Sequence, residues 1–414
     1  MSFLSEIMSV LLDRRFGSRA EIGPDGRPLA DICRDLVNST GEISLAIQAD
    51  QLLAGYERLD DAGKRGFFGF LAREMGIDIN RVQAALDQLG QGATRESYGA
   101  FMAAAEPARQ ELIRRINQAP DATARLVRMR HDLLRLSADD PELQALDMDF
   151  RHLFASWFNR GFLVLRRISW QSPAHILEKI IAYEAVHAID SWDELRRRLE
   201  PADRRCFAFF HPAMPSEPLI FVEVALTKGV PGSIQALLAD SRDRLQAEET
   251  DSAVFYSISN CQAGLAGISF GNSLIKQVAA DLSVELPSLK TFVTLSPIPG
   301  LRKWLDQQGV SVEQEDTDRL RQLAARYLVA AQRADGLPLD PVARFHLGNG
   351  AEIHAIRAGA DLSPKGQRQS AGVMVNYLYD LAKVARNHER YSASGKITAS
   401  SQVRKLAKQE MQGG

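Results

Sequence analysis

The hydrophobic spacing of the chain changes character near residue 160, and that change limits the fold more than any other feature. Before it, apolar residues recur at helical intervals in segment after segment: Ile43 to Leu53, Phe101 to Ile116, Ala122 to Leu136 and Leu143 to Trp157. One of these helices carries its own punctuation. Asp78 reads as an N-cap, Val82, Ala85, Leu86 and Leu89 as the apolar stripe, and Gly90 as the stop. No β-rich run interrupts the series, so residues 1–158 are expected to form an all-helical bundle.

From Gly161 the texture is different. Phe162 to Ile168 reads as a strand, and a helix led by Pro173 runs through Ala185. Strand-like runs follow at Cys206 to Phe210 and Leu219 to Leu226. The proline-stiffened stretch His211 to Pro218 between them suggests a hairpin with a long loop. Ala253 to Ser259 alternates as a strand, Asn260 to Phe270 is glycine-rich, and Asn272 to Leu282 has the apolar face of a helix. Thr291 to Leu295 is strand again. Strand, glycine-rich turn, helix, strand is a crossover unit, so residues 159–414 are expected to form a mixed sheet flanked by helices and the chain to be α+β. Its 414 residues are too many for one ordinary core, which independently argues for two domains.

Bulk properties exclude several classes of function. A net charge of −2 provides no field to attract nucleic acid or acidic membranes. Basic runs such as Arg196-Arg197-Arg198 sit beside acidic residues and read as solvated helix faces. The three cysteines, Cys33, Cys206 and Cys261, lack the spacing of a disulfide framework or a zinc site and suit a reducing compartment, each as a buried, inert thiol. The histidines, among them His187, His211 and His354, show no pairing at metal-ligand spacing, so no metal site is expected. Phe3, Leu4, Ile7, Met8, Leu11 and Leu12 make the N-terminus an amphipathic helix rather than a signal peptide. No apolar run approaches the roughly 20 residues needed to span a bilayer. The final Met-Gln-Gly-Gly carries no peroxisomal or prenylation signal. The expectation is a soluble cytoplasmic protein, with the tail beyond Tyr391 a polar amphipathic helix.

Three places could carry chemistry. In Gln262 to Gly271, glycines between a strand and a helix let backbone N–H groups approach an anion such as a pyrophosphate; the same pattern also suits a tight turn with nothing bound. The loop has neither a Walker lysine nor a Gly-x-Gly-x-x-Gly fingerprint. Its spacing resembles the acyl-CoA loop of GNAT-type acyltransferases, Gln/Arg-x-x-Gly-x-Gly/Ala: Gly267 matches the central glycine, Ser269 takes the last small position, and Gly264 stands where Gln or Arg is usual. Ser296 follows a strand and precedes Pro297, which holds it extended. Its hydroxyl could meet a substrate or cap a helix starting near Arg302. His346 follows an extended Pro338 to Val342 segment and could be a general acid or base, or a hydrogen-bonded structural residue.

Taken in order, these stretches cease to be independent. Phe-Tyr-Ser-Ile-Ser (255–259), Gly-Leu-Ala-Gly (264–267), Leu-Ser-Pro-Ile-Pro-Gly (295–300), Phe-His-Leu-Gly-Asn-Gly-Ala (345–351) and Asn-Tyr-Leu-Tyr (376–379) together resemble the malonyl-CoA decarboxylases. The resemblance covers about Gly161 to Tyr379 closely and the helical part more loosely. It implies a helical domain used in homo-oligomer assembly, as dimer or tetramer, joined to a catalytic domain of the GNAT acyltransferase fold. It also implies conversion of malonyl-CoA to acetyl-CoA and CO2 with no cofactor beyond the CoA of the substrate. On its motifs, Ser296, His346 and Tyr379 are the catalytic residues. Gln262, Gly264, Leu265, Ala266, Gly267, Ser269 and Asn376 are the acyl-CoA-binding ones. Some relatives read Gly-Val-Glu-Leu-Gly where this chain has Gly-Ile-Ser-Phe-Gly, so Ser269 replaces an acidic residue. An acyl-CoA N-acyltransferase and a non-catalytic acyl-CoA sensor are the competing readings.

Overall fold

The computed structural model describes residues 26–39, 41–268, 274–311 and 316–409. The N-terminal amphipathic helix expected around Phe3 to Leu12 and the acyl-CoA position Ser269 lie outside these residues. The chain forms two compact units. Residues 1–159 cluster with 262–268, and residues 160–261 cluster with 269–414.

In the first unit, helices cover Leu29–Asn38, Glu42–Glu57, Asp61–Glu74, Ile79–Gln91, Arg95–Ala105, Ala108–Ile116, Ala122–Leu136 and Pro141–Trp157. Their starts follow from local chemistry. Asp60, Asp78 and Asp140 accept N–H groups of the first turn, and Thr94 and Ser97 form a reciprocal capping box. The single helix expected from Phe101 to Ile116 is in fact two. Pro107 has no N–H to donate and biases Glu106 away from the helical region, so the chain turns there. The Asp78-capped helix runs to Gln91, just beyond the expected stop, and of its apolar stripe only Ala85 is buried. The core of the unit gathers Leu112, Ile113, Leu126, Leu133, Leu146, Phe150 and Phe154. Among them lies Arg130, 1% exposed, with its guanidinium donating to Asp147 and to the carbonyls of Gly264 and Ala266. Those bonds bring Gln262–Ile268, which in the sequence belongs to the sheet domain, into the packing of the helical unit.

The second unit is built on a mixed sheet. Its strands are β1 (Val164–Ile168), β2 (Arg204–His211), β3 (Met214–Thr227), β4 (Ser252–Asn260), β5 (Thr291–Thr294), β6 (Ser296–Pro297), β7 (Glu352–Arg357) and β8 (Met374–Leu378). β1 to β4 form an antiparallel meander, and β4 and β5 are parallel. β8 pairs antiparallel with β5 and β6 on one edge and with β7 on the other. β5 and β6 keep one register along β8, with Val293 opposite Leu378 and Ser296 opposite Val375. The β2–β3 connection is far shorter than the long loop expected, because Met214 and Pro215 already belong to β3. Pro218 is accommodated at a register shift near Phe210. One core cluster joins Ile176, Ile180 and Leu195 to Cys206, Ala208 and Phe221; in a second, Val254, Tyr256, Val293, Leu295 and Met374 pack together. Helix Leu274–Glu285 buries Leu274, Ile275, Val278, Ala279 and Leu282, the face its spacing indicates. A helical unit followed by a mixed sheet with flanking helices is the architecture that the acyltransferase-like resemblance implies.

Two expectations change. Pro338 to Val342 is not one extended run, since Asp340 caps the helix Pro341–Gly348 and His346 stands on its last turn. The tail breaks at Gly395 (φ +64°), giving two helices, Val384–Ser394 and Ser401–Lys408. All three cysteines are buried free thiols. No helix among the described residues is long and apolar enough to cross a membrane.

Candidate active site

β4 and β5 pair from Ser252 opposite Thr291 to Phe255 opposite Thr294, and the Leu295 N–H then bonds the Phe255 carbonyl. Beyond that point the strands part. Pro297 has no N–H to continue a ladder. In β4, Glu223 faces Ser257 while Val224 faces Phe255, so Tyr256 is an extra, bulged residue. The two strands open onto a cavity of about 240 Å³. Phe255, Tyr256, Ile258 and Asn260 line one side, Ser296 and Pro297 another, and Val186, Pro341, Val342, Phe345 and His346 the rest.

The bulge also fixes the direction of the β4 amides. Cys261 N–H donates to the Leu219 carbonyl, so residues 257, 259 and 261 turn their N–H groups towards β3. The N–H groups of Ile258 and Asn260 therefore point to the side from which β5 has departed, where the cavity lies.

At the cavity wall Ser296 Oγ is 3.1 Å from His346 Nε2. His346 Nδ1 is 2.8 Å from the Tyr379 hydroxyl. The Ser296 hydroxyl donates to Thr294 Oγ1 at 2.8 Å, and that oxygen also accepts the Tyr377 N–H at 3.1 Å. Tyr377 stacks on His346 with ring centroids 4.4 Å apart. Ser296, His346 and Tyr379 are all buried. Burial alone pushes the His346 pKa down to about 3 and raises the Tyr379 phenol, so the site is uncharged near neutral pH.

Ser296, His346 and Tyr379, singled out in the sequence, thus meet in one hydrogen-bonded chain. The helix-cap alternative for Ser296 does not occur: Gly300 is the N-cap of helix Leu301–Gln307, with no side-chain cap. Asn376 is fully buried, and both ends of its amide are engaged within the protein. Nδ2 donates to the Thr294 carbonyl and Oδ1 accepts from Arg357 Nε, each at 2.8 Å. Sequence reasoning overlooked Thr294, although it lies two residues before Ser296 on the same strand face. It also overlooked the ring of Tyr377 and the amides of Ile258 and Asn260.

The glycine-rich segment is a 3-10 turn, Ala263–Leu265, in the helical unit. The N–H groups of Leu265, Ala266 and Ile268 are used within it, donating to the carbonyls of Gln262, Ala263 and Leu265. A Cβ on Gly264 would stand 1.8 Å from the Val127 carbonyl oxygen, so packing against helix Ala122–Leu136 requires glycine there. Gly267 has φ +77°, and a Cβ built on it would lie 3.9 Å from Nε of the exposed Arg151. Among the described residues no group of three or more side chains could hold a metal ion.

Residues 161–319 and 311–413 match the malonyl-CoA decarboxylase C-terminal domain, and residues 75–158 the malonyl-CoA decarboxylase N-terminal domain. The crystal structure of malonyl-CoA decarboxylase from Rhodopseudomonas palustris is 49% identical, with a TM-score of 0.85 over 91% of this chain and 98% of that one. The one from Agrobacterium vitis is 46% identical, with a TM-score of 0.86 over 92% and 100%. The mitochondrial malonyl-CoA decarboxylase of the goose Anser anser anser is 34% identical over 417 residues, 86% of this chain and 82% of that protein. The similar mouse and rat proteins are also named mitochondrial, so the similarity gives no support to a cytoplasmic location. These relatives are carboxy-lyases, and the chain belongs to the malonyl-CoA decarboxylase family.

Proposed function

We propose that this protein converts malonyl-CoA to acetyl-CoA and CO2, with Ser296 and His346 delivering the proton. The observation that carries the reading is the 3.1 Å contact between Ser296 Oγ and His346 Nε2 at the wall of the cavity between the parting strands. Breaking the bond from the α-carbon to the carboxylate releases CO2 and leaves an electron pair that spreads into the thioester as an enolate. The N–H groups of Ile258 and Asn260 are suited to bind the thioester oxygen as this charge develops. The cavity lining among the described residues includes no lysine or arginine. A malonyl carboxylate held there is deprived of water with no lysine or arginine to pair with, which favours its loss as neutral CO2.

The α-carbon must then take up one proton. His346 is neutral in the free protein. A substrate carboxylate beside it favours the imidazolium, so the proton consumed in each turnover enters with the substrate. The Ser296 hydroxyl passes its proton to carbon, and the Nε2 proton of His346 replaces it on Oγ. Tyr379, on Nδ1, keeps the ring aimed at Ser296.

CoA itself is assigned to the segment beginning at Gln262. Among the described residues the 3-10 bonds of that turn leave the N–H groups of Ala263, Gly264 and Gly267 unused, and that of the exposed Gly267 is the donor offered to a phosphate. Arg151, close to Gly267, supplies the charge. Leu265 and Ala266 shape the turn. Asn376 acts indirectly by holding the Thr294 carbonyl. The family resemblance also suggests a homo-oligomer formed through the helical unit, where Ile79, Tyr98 and Met102 are exposed. Light scattering of the full chain measures that.

The test is incubation with malonyl-CoA and no amine acceptor, following acetyl-CoA and CO2. Wild type should form both, and Ser296→Ala and His346→Ala should each lose roughly a hundredfold or more of kcat. Near-normal rates in both variants would remove the pair from the mechanism. A requirement for an amine would point to acyl transfer instead.

A further inference from the structure

We propose that Thr294 is a positioning residue for decarboxylation: by accepting the Ser296 proton it sets His346 in the Nε2–H form and gives the hydrogen-bonded chain one direction. The proposal rests on the Ser296–His346 reading above. A hydroxyl has one proton, and that of Ser296 is donated to Thr294 Oγ1 at 2.8 Å. Ser296 Oγ therefore meets His346 Nε2, 3.1 Å away, as an acceptor, and Nε2 must carry a hydrogen. A neutral imidazole has only one N–H, so Nδ1 is bare and accepts the Tyr379 hydroxyl at 2.8 Å. All the donors point one way, from Tyr379 to His346 to Ser296 to Thr294.

Thr294 is itself held in place. It is fully buried, its Oγ1 accepts the Tyr377 N–H at 3.1 Å, and its carbonyl accepts Asn376 Nδ2 at 2.8 Å. With the Ser296 and Tyr377 protons on its two lone pairs, Oγ1 has no acceptor position left, and in the free protein the serine hydroxyl is oriented towards it.

This polarity bears on the chemistry. A nucleophilic serine donates its proton to Nε2 of a basic histidine, which removes it during attack. Here the bond runs in the opposite sense, with His346 as donor to Ser296. Such an arrangement does not activate Ser296 to capture an acyl group. It prepares Ser296, once substrate is bound, to turn its proton from Thr294 Oγ1 to the α-carbon and be resupplied from Nε2, and Thr294 is what selects that resting arrangement.

The experiment uses the full chain labelled with nitrogen-15 histidine, with the His346 signals assigned by their loss in His346→Gln. Wild type should show a protonated Nε2 and a bare Nδ1. Thr294→Val should shift the population towards Nδ1–H and lower kcat by about tenfold or more, within the range of general acid catalysis. KM for malonyl-CoA should stay within about twofold, because substrate binding does not involve Thr294. Thr294→Ser, which keeps the oxygen, should restore both tautomer and rate. Thr294→Ala is measured alongside in case valine, which also strands the Tyr377 N–H, does not fold; thermal melting and acetyl-CoA binding report on the fold. A wild-type Nδ1–H tautomer overturns the proposal. So does an unchanged tautomer with unchanged kcat in Thr294→Val and Thr294→Ala, or a failure of Thr294→Ser to rescue. The tautomer is read without turnover, so a wild-type protein that does not decarboxylate malonyl-CoA sinks the functional reading and leaves the tautomer result to judge Thr294.

Discussion

The imidazole of His346 lies almost flat on the ring of Tyr377, with centroids 4.4 Å apart and planes inclined by 24°. The two reach each other from different elements, the last turn of helix Pro341–Gly348 and the middle of β8. The Tyr377 hydroxyl has no hydrogen-bond partner among the described residues, although the side chain is fully buried. The flat ring, not the phenol, is therefore what His346 needs. Tyr377→Phe should keep kcat within about twofold and raise stability by up to about 1 kcal/mol, since it removes an unsatisfied buried oxygen. Tyr377→Leu should lose activity, because it surrenders an aromatic contact worth about 1 kcal/mol and frees the imidazole to tilt. Thermal melts with steady-state rates separate the two variants, and a large loss of kcat in Tyr377→Phe would contradict this reading.

Gly300 closes the turn after Ser296, and its backbone is ordinary, with φ −95°. What demands glycine is space: a Cβ there would stand 2.1 Å from the Tyr327 hydroxyl. Gly300→Ala should displace the Ser296 to Gly300 turn and lower kcat more than it lowers thermal stability. Adding Tyr327→Phe removes the clashing oxygen and should recover much of the loss. A double variant no better than Gly300→Ala would mean that the hydroxyl is not the obstruction.

How far the fold and site were legible follows from which interactions are local. The change from helical to strand texture near Gly161 depends on spacing within single segments, and it was readable. The break at Pro107 was equally local, but the helical spacing on either side concealed it. Ser296 and His346 are 50 residues apart, and no spacing rule joins them. β6 pairing with β8 and a helix capped by Asp340 bring them together, so the resemblance alone suggested the pair. The bulge at Tyr256 depends on the partner strand β3 and leaves no mark in β4 itself. Similarly, the packing of Gly264 against Val127 is a tertiary requirement in a segment that reads equally well as an anion-binding loop.

That packing yields a stability prediction confined to the helical unit. Gly264→Ala would drive a methyl group to within 1.8 Å of the Val127 carbonyl oxygen and disturb the carbonyls that Arg130 holds. Overpacking of this kind should cost about 3 kcal/mol. Arg151→Ala, at an exposed residue, should leave stability within about 0.5 kcal/mol while raising KM for malonyl-CoA severalfold. Urea titrations with initial rates test both, and an unchanged KM in Arg151→Ala would remove that residue from CoA binding.

Buried ionisable groups give the fold a stability that falls off on both sides of a pH optimum. Burial, with Glu184 nearby, raises the Glu223 carboxyl to about 8, even though Arg198 Nη1 lies 3.2 Å from Oε2. In the unfolded chain the same group titrates near its ordinary 4.5, so between those values the folded state holds a proton that the unfolded state has lost. Its contribution is complete below about pH 4.5 and is lost as pH rises towards 8. His346 and His187 act in the other sense. Burial depresses them to about 3 and 4, so the unfolded chain binds protons that the folded one does not, and stability falls as pH drops below about 6.5. Each such proton changes stability by at most about 1.4 kcal/mol per pH unit. Glu223→Gln should therefore flatten the alkaline decline between pH 6 and 8 and leave the acid limb intact, as measured by urea unfolding at intervals of one pH unit. An alkaline slope as steep in the variant as in the wild type would show that Glu223 is not the group that carries it.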